Sequence, residues 1–445
     1  MKTENYIKWI GIHLLIAMLV YVYEPISKPI FFAILLFFGV QVVRKGNKND
    51  EALYAAVYIA GFEVFSRMTD AAFTYEFAKY AVMLFLFIGM FYRGINVRSW
   101  PYFLYLLLLV PGILFSAINL NYGTNIGNAI GFNLSGPVTL GVAALYCYQK
   151  KITAKRMNEL MVTLLLPILT TAFYLYFYTP DIRDVVTGTE SNFATSGGYG
   201  PNQVSTILGL GSFILFARLL IIRDRTMNMI DLGLLAMVLY RAVVTFSRGG
   251  VLVAAICSVI LVLVFLYRAP FILKLRLIPR IGVMVAVIAT TWLITTVNTS
   301  GLIVNRYANQ DAAGREDNDL TSGRLLILTE ELNAFYENPI TGLGIGKAKE
   351  YRLEQTGHEV ASHNEVSRLL SEHGLFGILA LLILLMTPLV DRIKDRSNIL
   401  MLPLLAYWFL TINHSSMRIA MPAVVYGLCL LQIQLNVKKD TVHRE

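Results

Sequence analysis

One histidine, a few arginines and the glycines beside them are the residues whose types and spacing could do chemistry in this chain. His363 lies in Ser362-His363-Asn364-Glu365, which matches the S-x-x-E capping box of a helix start. With Ser362 as the cap, His363 becomes the first helical residue. Free N–H groups and partial positive charge there favour a bound anion and disfavour imidazolium. A neutral ring beside an anion site could act as a general base. A polar loop histidine without a role has the same spacing.

Arg248 stands in Thr245-Phe246-Ser247-Arg248-Gly249-Gly250, between two apolar runs. Arginine at membrane depth is costly, and it is either functional or reaching for lipid headgroups. Arg241 precedes it by two helical turns on the same face and sits deeper. An internal ion pair and a substrate contact suit it equally. Arg324 follows Ser322-Gly323, off the apolar stripe of the helix it opens, so it can face a ligand or simply water. Asn202, Asn364 and Arg368 are further candidates for substrate contact. Asn202 follows Gly197-Gly198-Tyr199-Gly200-Pro201 at a loop-to-helix junction, where a solvated turn is the plainer reading. Arg306, Arg315, Lys347, Lys349 and Arg352 share a segment with Arg324 and Arg368, too many cations for all to belong to a site.

The guanidinium fork binds phosphate oxygens bidentately. Fixed cations stabilise a diphosphate whose charge grows as it leaves, and an acceptor hydroxyl needs a base. Two arginines and a histidine supply both without a metal. Asp317-Asn318-Asp319 is a weak metal signal and reads as an acidic turn.

The elements that must position these groups are membrane helices. Of 445 residues, 56% are hydrophobic and only 15% charged, with mean hydropathy +0.59, so the bilayer is the natural solvent. Apolar runs recur near 7–23, 29–43, 52–66, 76–92, 101–118, 132–148, 159–177, 204–222, 229–246, 251–267, 280–298, 374–391, 398–413 and 420–436. Unpaired backbone groups are not tolerated in lipid, and the runs are too long for barrel strands. The expectation is an all-α integral membrane protein with about 12 to 14 transmembrane helices. The net charge of +9 lies mostly in short loops between the runs, which argues against a nucleic-acid partner. Cys147, Cys257 and Cys429 fall within apolar runs and suggest neither disulfides nor a thiolate metal site. The first run lacks a small-residue cleavage site and another follows at once, so no cleavable signal peptide is expected.

Lysine and arginine concentrate in alternate loops, including Arg44-Lys45, Arg93, Lys150-Lys151, Arg218, Arg223, Arg280 and Arg392, with Lys438 and Lys439 in the tail. These are expected in the cytoplasm with both termini. Loops 119–131, 178–203 and 299–373 then face the periplasm. Residues 1–298 form a transmembrane region, 299–373 a large periplasmic loop with short helices, and 374–445 the last three spans and a cytoplasmic tail. Within the loop, Leu325, Leu328, Leu332, Phe335 and Tyr336 predict an amphipathic helix over 323–337. Asn338-Pro339 ends it before a turn at Gly342, Gly344 and Gly346.

These motifs resemble the O-antigen ligase and O-antigen polymerase family. The resemblance rests on His363-Asn364, nine intervening residues, then Gly374-Leu375-Phe376-Gly377. It rests also on Ser322-Gly323-Arg324 leading to Asn338-Pro339-Ile340-Thr341-Gly342-Leu343-Gly344, and on Ser247-Arg248-Gly249-Gly250. It covers roughly 195–390; the N-terminal half resembles the family only as a series of spans. The resemblance implies an inverting, metal-independent membrane glycosyltransferase with a GT-C-like helical fold and no cofactor. The donor would be a glycan on undecaprenyl diphosphate, held by Arg248 and Arg324, and His363 would deprotonate or orient the acceptor hydroxyl. The setting would be the periplasmic face of the cell inner membrane, among membrane lipid. A count of 14 spans departs from the family's usual 12.

Four functions compete. A ligase moves the glycan to lipid A-core, a polymerase joins repeat units on the carrier, and a protein O-oligosaccharyltransferase uses the same chemistry on another acceptor. The His-Asn-x9-Gly-x-x-Gly match leans toward ligase. A polysaccharide transporter would explain 14 spans, but transporters gather ionisable groups at the bilayer midplane; here they gather at one face.

Overall fold

The computed structural model describes residues 2–434 apart from 269, 317–322, 358–359 and 395–396. The chain is all-α. Its first half comprises α1 (Thr3–Val22), α2 (Ser27–Lys45), α3 (Glu51–Met68), α4 (Phe77–Arg93), α5 (Trp100–Leu108), α6 (Val110–Asn119), α7 (Ile126–Cys147), α8 (Ala154–Tyr178) and α9 (Pro201–Ile221). There follow α10 (Arg225–Val243), α11 (Arg248–Arg268), α12 (Phe271–Asn298), α13 (Leu302–Tyr307), α14 (Arg324–Glu337), α15 (Lys347–Thr356), α16 (Glu365–Lys394), α17 (Met401–Ser415) and α18 (Met421–Cys429). Two short parallel strands, β1 (Lys151–Thr153) and β2 (Gln432–Gln434), pair with each other.

Ten helical stretches among the described residues are long and apolar enough to cross a membrane. α5 and α6 form one of them, divided just before Pro111, whose ring cannot continue the helical ladder. The other four expected runs fall on α3, which carries Glu51, Glu63 and Arg67, and on the shorter α4, α17 and α18. α9 is enclosed on nearly every side, at 94% of its apolar window, whereas α2 and α12 are enclosed over 17%. A helix that is apolar all round belongs at the centre of a bundle. The outer helices turn leucine, isoleucine and phenylalanine outward, where lipid tails would lie.

The cation-rich loops meet at one end. Arg93 donates to the carbonyls of Asn47 and Lys48 at 3.3 and 2.9 Å. Lys150 and Arg156 pair with Asp50 at 2.7 and 2.9 Å, and β1–β2 brings Gln432–Gln434 to the same place. Arg218, counted with these loops, lies inside α9 instead, where it pairs with Asp231 at 3.0 Å. The large loop folds over the opposite end: Asn119 donates to Leu343 O at 2.8 Å, and Ser116 Oγ to Ile345 O at 3.0 Å.

Within that loop α14 forms where the apolar spacing predicts it, but its buried residues are Glu331 and Ala334. Leu325 and Tyr336 remain exposed. The reason is polar: Glu331 pairs with Arg352 at 2.8 Å and accepts a hydrogen bond from Ser367, so a buried ionic network docks the helix rather than a leucine stripe.

α16 is broken at Gly374, whose φ of 57° and ψ of −134° lie outside helical space. A Cβ there would sit 2.7 Å from the carbonyl oxygen of Ile340, and the left-handed φ itself selects glycine. The Asn338–Gly346 turn satisfies the broken end. Leu343 N–H donates to Ser371 O at 2.8 Å, Gly344 N–H to Glu372 O at 3.0 Å, and Leu375 N–H to Pro339 O at 2.8 Å. The break separates a short helix carrying the His363 segment from the membrane span that follows.

A candidate active site at the loop end of the bundle

His363 lies two residues before α16, not in its first turn. The helix starts at Glu365, and the cap is Asn364, whose Oδ1 accepts from Val366 N–H at 2.9 Å and Ser367 N–H at 3.4 Å. The expected capping box does not form. Ser362 Oγ turns onto Asn364 O at 2.9 Å, and Glu365 pairs with Arg368 and accepts from Met417 N–H at 3.3 Å. The helix terminus therefore does not set the state of the imidazole. Burial does so first, followed by Arg418, Arg324 and Arg352, and together they push His363 down to about 4. Its Nδ1 is buried without a hydrogen-bond partner.

Arg248 is the first residue of α11, reached through Phe246 at a left-handed φ of 57°. A reciprocal clamp holds that turn: Arg306 Nε donates to Phe246 O at 3.1 Å, and Arg248 Nη1 donates to Arg306 O at 3.2 Å and to Asn309 Oδ1. Gly249 and Gly250 allow α11 to start there. A Cβ on Gly249 would overlap the His414 ring, and one on Gly250 the main chain of Ser205. The Ser-Arg-Gly-Gly pattern thus packs α11 onto α9 and α17 with the arginine at the rim.

Arg324 opens α14. Its guanidinium is pushed down by partial desolvation and then by the positive charges of Arg248 and Arg418. Arg418 lies between α17 and α18 and donates Nη2 to Ser362 O at 2.7 Å. Arg324 thus stands within electrostatic reach of Arg248 and Arg418, and His363 within reach of Arg418 and Arg324. None of Arg248, Arg324 and Arg418 has a carboxylate within ion-pair distance among the described residues. Cations gathered without counter-ions are suited to a polyanion.

The other candidates are placed elsewhere. Asn202 uses both ends of its carboxamide, donating to His414 O at 3.0 Å and accepting from Ser247 Oγ at 3.2 Å; it ties α9 and α17 to the turn before Arg248. Asn364 is the helix cap. Arg368 is buried between Glu365 and Glu372, the latter at 2.8 Å. Arg241 donates to Thr179 O at 2.8 Å and lies 4.0 Å over the Tyr176 ring. Of the loop cations, Arg352 pairs with Glu331, Lys347 with Glu350 and Arg315 with Asp311. Asp317-Asn318-Asp319, Ser322 and the tail from 435 lie outside the described residues.

Arg418 was not foreseen from the sequence. Its signal matches that of Arg248, a single arginine in a polar break (His414-Ser415-Ser416-Met417-Arg418) between two apolar runs. Spacing could not tie it to His363, because the contact spans more than fifty residues.

The arrangement can bind a diphosphate and accept a proton from a nearby hydroxyl. Residues 232–382, about a third of the chain, match the family model of the O-antigen ligases. The match takes in Arg248, Arg324, His363 and Gly374, and leaves out Asn202 and Arg418. A comparison with curated proteins finds no match.

Proposed function

Proceeding from a chain that carries a domain of the O-antigen ligase type over residues 232–382, we propose that it transfers a glycan from undecaprenyl diphosphate to a hydroxyl of lipid A-core. The reaction takes place at the periplasmic face of the inner membrane. The family match supports a role in surface-polysaccharide synthesis; the donor, acceptor and orientation are our reading. The gathering of Arg324 and Arg418 beside His363, with Arg248 beside Arg324, carries it.

In this reaction the acceptor oxygen attacks the anomeric carbon from the face opposite the diphosphate. The new C–O bond forms as the carbon–phosphate oxygen bond breaks, and its electron pair leaves with the diphosphate. Inversion follows from that single displacement. The three guanidiniums balance the growing charge. His363, neutral beforehand, takes the hydroxyl proton. Proton uptake by His363 becomes easier once the diphosphate offsets the neighbouring arginines, so the base strengthens when the donor is bound. Orientation rests on the cationic loops sharing the end opposite the site.

The test is lipopolysaccharide electrophoresis of cells carrying Arg248→Ala, Arg324→Ala or His363→Ala. The ligase reading expects core without O-antigen while carrier-linked chains persist. Core bearing a single repeat would assign a polymerase. Unaltered glycans in all three, at normal protein levels, would remove the assignment.

A further inference from the structure

A cavity of about 390 Å³ adjoins the His363 segment, sharing Ser362 and Arg418 as wall. That volume falls within the usual ligand-pocket range of roughly 300–1,000 Å³. Its opposite wall is the first turns of α7, with Asn125, Asn128, Phe132 and Asn133. Apart from Arg418 at the shared wall, the charges around it are neutralised or engaged by their neighbours. Arg368 is held by Glu365 and Glu372, Arg352 by Glu331, and Glu350 by Lys347; Lys349 is also engaged. What remains is amide chemistry. Asn128 makes no side-chain hydrogen bond among the described residues. Asn133 spends its NH₂ on Ala129 O at 2.9 Å and keeps its oxygen. Asn125 spends its oxygen on Asn128 N–H at 3.0 Å and keeps its NH₂. Sugar hydroxyls both donate and accept, so they pair with such a set. Phe132, 41% exposed and backed by Tyr75 at 5.8 Å between centroids, offers an apolar ring for the C–H face of a pyranose.

We propose that this cavity seats the terminal sugar of the acceptor, an uncharged saccharide, and presents its hydroxyl to His363 past the Ser362–Arg418 wall. The assignment rests on the glycosyl-transfer reading above and adds the acceptor's seat and chemical class. The division of labour follows from charge. The Arg248–Arg324–Arg418 face has unpaired cations for the diphosphate; the amide cavity shares Arg418 with that face at its edge, its other cations are paired or engaged, and its free amides select a neutral group.

The experiment uses the full chain in lipid nanodiscs with the carrier-linked glycan as donor. The acceptor is core lipid or carrier-linked repeat unit, whichever the electrophoresis shows to be used. Asn128→Ala and Phe132→Ala should raise the acceptor KM about tenfold, the scale of one lost hydrogen bond or ring contact, and leave the donor KM unchanged. Unchanged acceptor KM in both variants, or a rise confined to donor KM, overturns the seat. Because Asn128 and Phe132 are exposed, folding is not at stake, and circular dichroism of the same samples checks it. If His363→Ala is inactive while both cavity variants behave as wild type, the seat alone is lost. If His363→Ala and Arg248→Ala transfer normally, the underlying reading is lost as well.

Discussion

Arg67 and Arg418 are 351 positions apart, and the guanidinium of the first donates to the main-chain carbonyl of the second at 3.1 Å. Glu63, one helical turn before Arg67, pairs with it at 2.5 Å and also accepts the N–H of Ala420 at 2.5 Å. A buried ion pair in α3 therefore grips the short connection that carries Arg418 to Ser362 and the His363 segment.

Breaking a buried pair strands a charge and costs about 3–5 kcal/mol, whereas replacing both partners by apolar residues is often neutral. Glu63→Ala should lower the thermal unfolding midpoint strongly. The double change Glu63→Leu with Arg67→Met should recover much of that loss yet transfer poorly, because nothing then holds the Arg418 carbonyl. A double variant with wild-type turnover would show that Arg67 serves stability alone.

The pH profile follows from His363. Its ring titrates near 4 when folded, against 6.5 for an unperturbed histidine. For the free protein, kcat/KM should stay level from pH 8 down past 6.5, with its acid limb close to 4. Arg418→Gln removes the strongest neighbouring charge and should move that limb upward. Stability has the same origin and a definite sign. The unfolded ring binds a proton near 6.5 and the folded ring only near 4, so this group weakens the fold as pH falls through that window. An acid limb at 6.5 in the wild type would contradict the enclosure of the ring.

Asn364 and Ser362 separate by stability. If Asn364 is the cap, Asn364→Ala costs about 1 kcal/mol and Asn364→Asp much less. Ser362→Ala, which removes no contact to a helical N–H, should cost less than Asn364→Ala in the same thermal assay. The reverse order would restore Ser362 as the cap.

Gly249 and His414 are coupled by shape. Gly249→Ala places a methyl against the His414 ring, and such overpacking costs about 1–3 kcal/mol while displacing Arg248. Shrinking the partner with His414→Ala in the same chain should return part of both stability and transfer. Strict additivity of the two losses in a double-mutant cycle would mean that the ring and the glycine do not touch.

The sequence alone determined the membrane character of the chain, the helical runs and the residues worth watching. Apolar length and backbone hydrogen bonding are local constraints that a linear pattern records. His363, Arg248 and Arg324 were visible for the same reason, as polar groups where lipid or a turn makes them costly. Tertiary structure decided what local pattern does not encode. The S-x-x-E pattern did not become a capping box, because Glu365 found Arg368 and the Met417 N–H instead. Arg368 became an internal ion-pair partner because Glu365 and Glu372 enclose it, and α14 docked through Glu331 rather than its leucines. Arg418 joined His363 across a separation of more than fifty residues. Ion pairing and like-charge convergence depend on distance in space, and only the folded packing of α3, α11, α14 and the α17–α18 connection sets those distances.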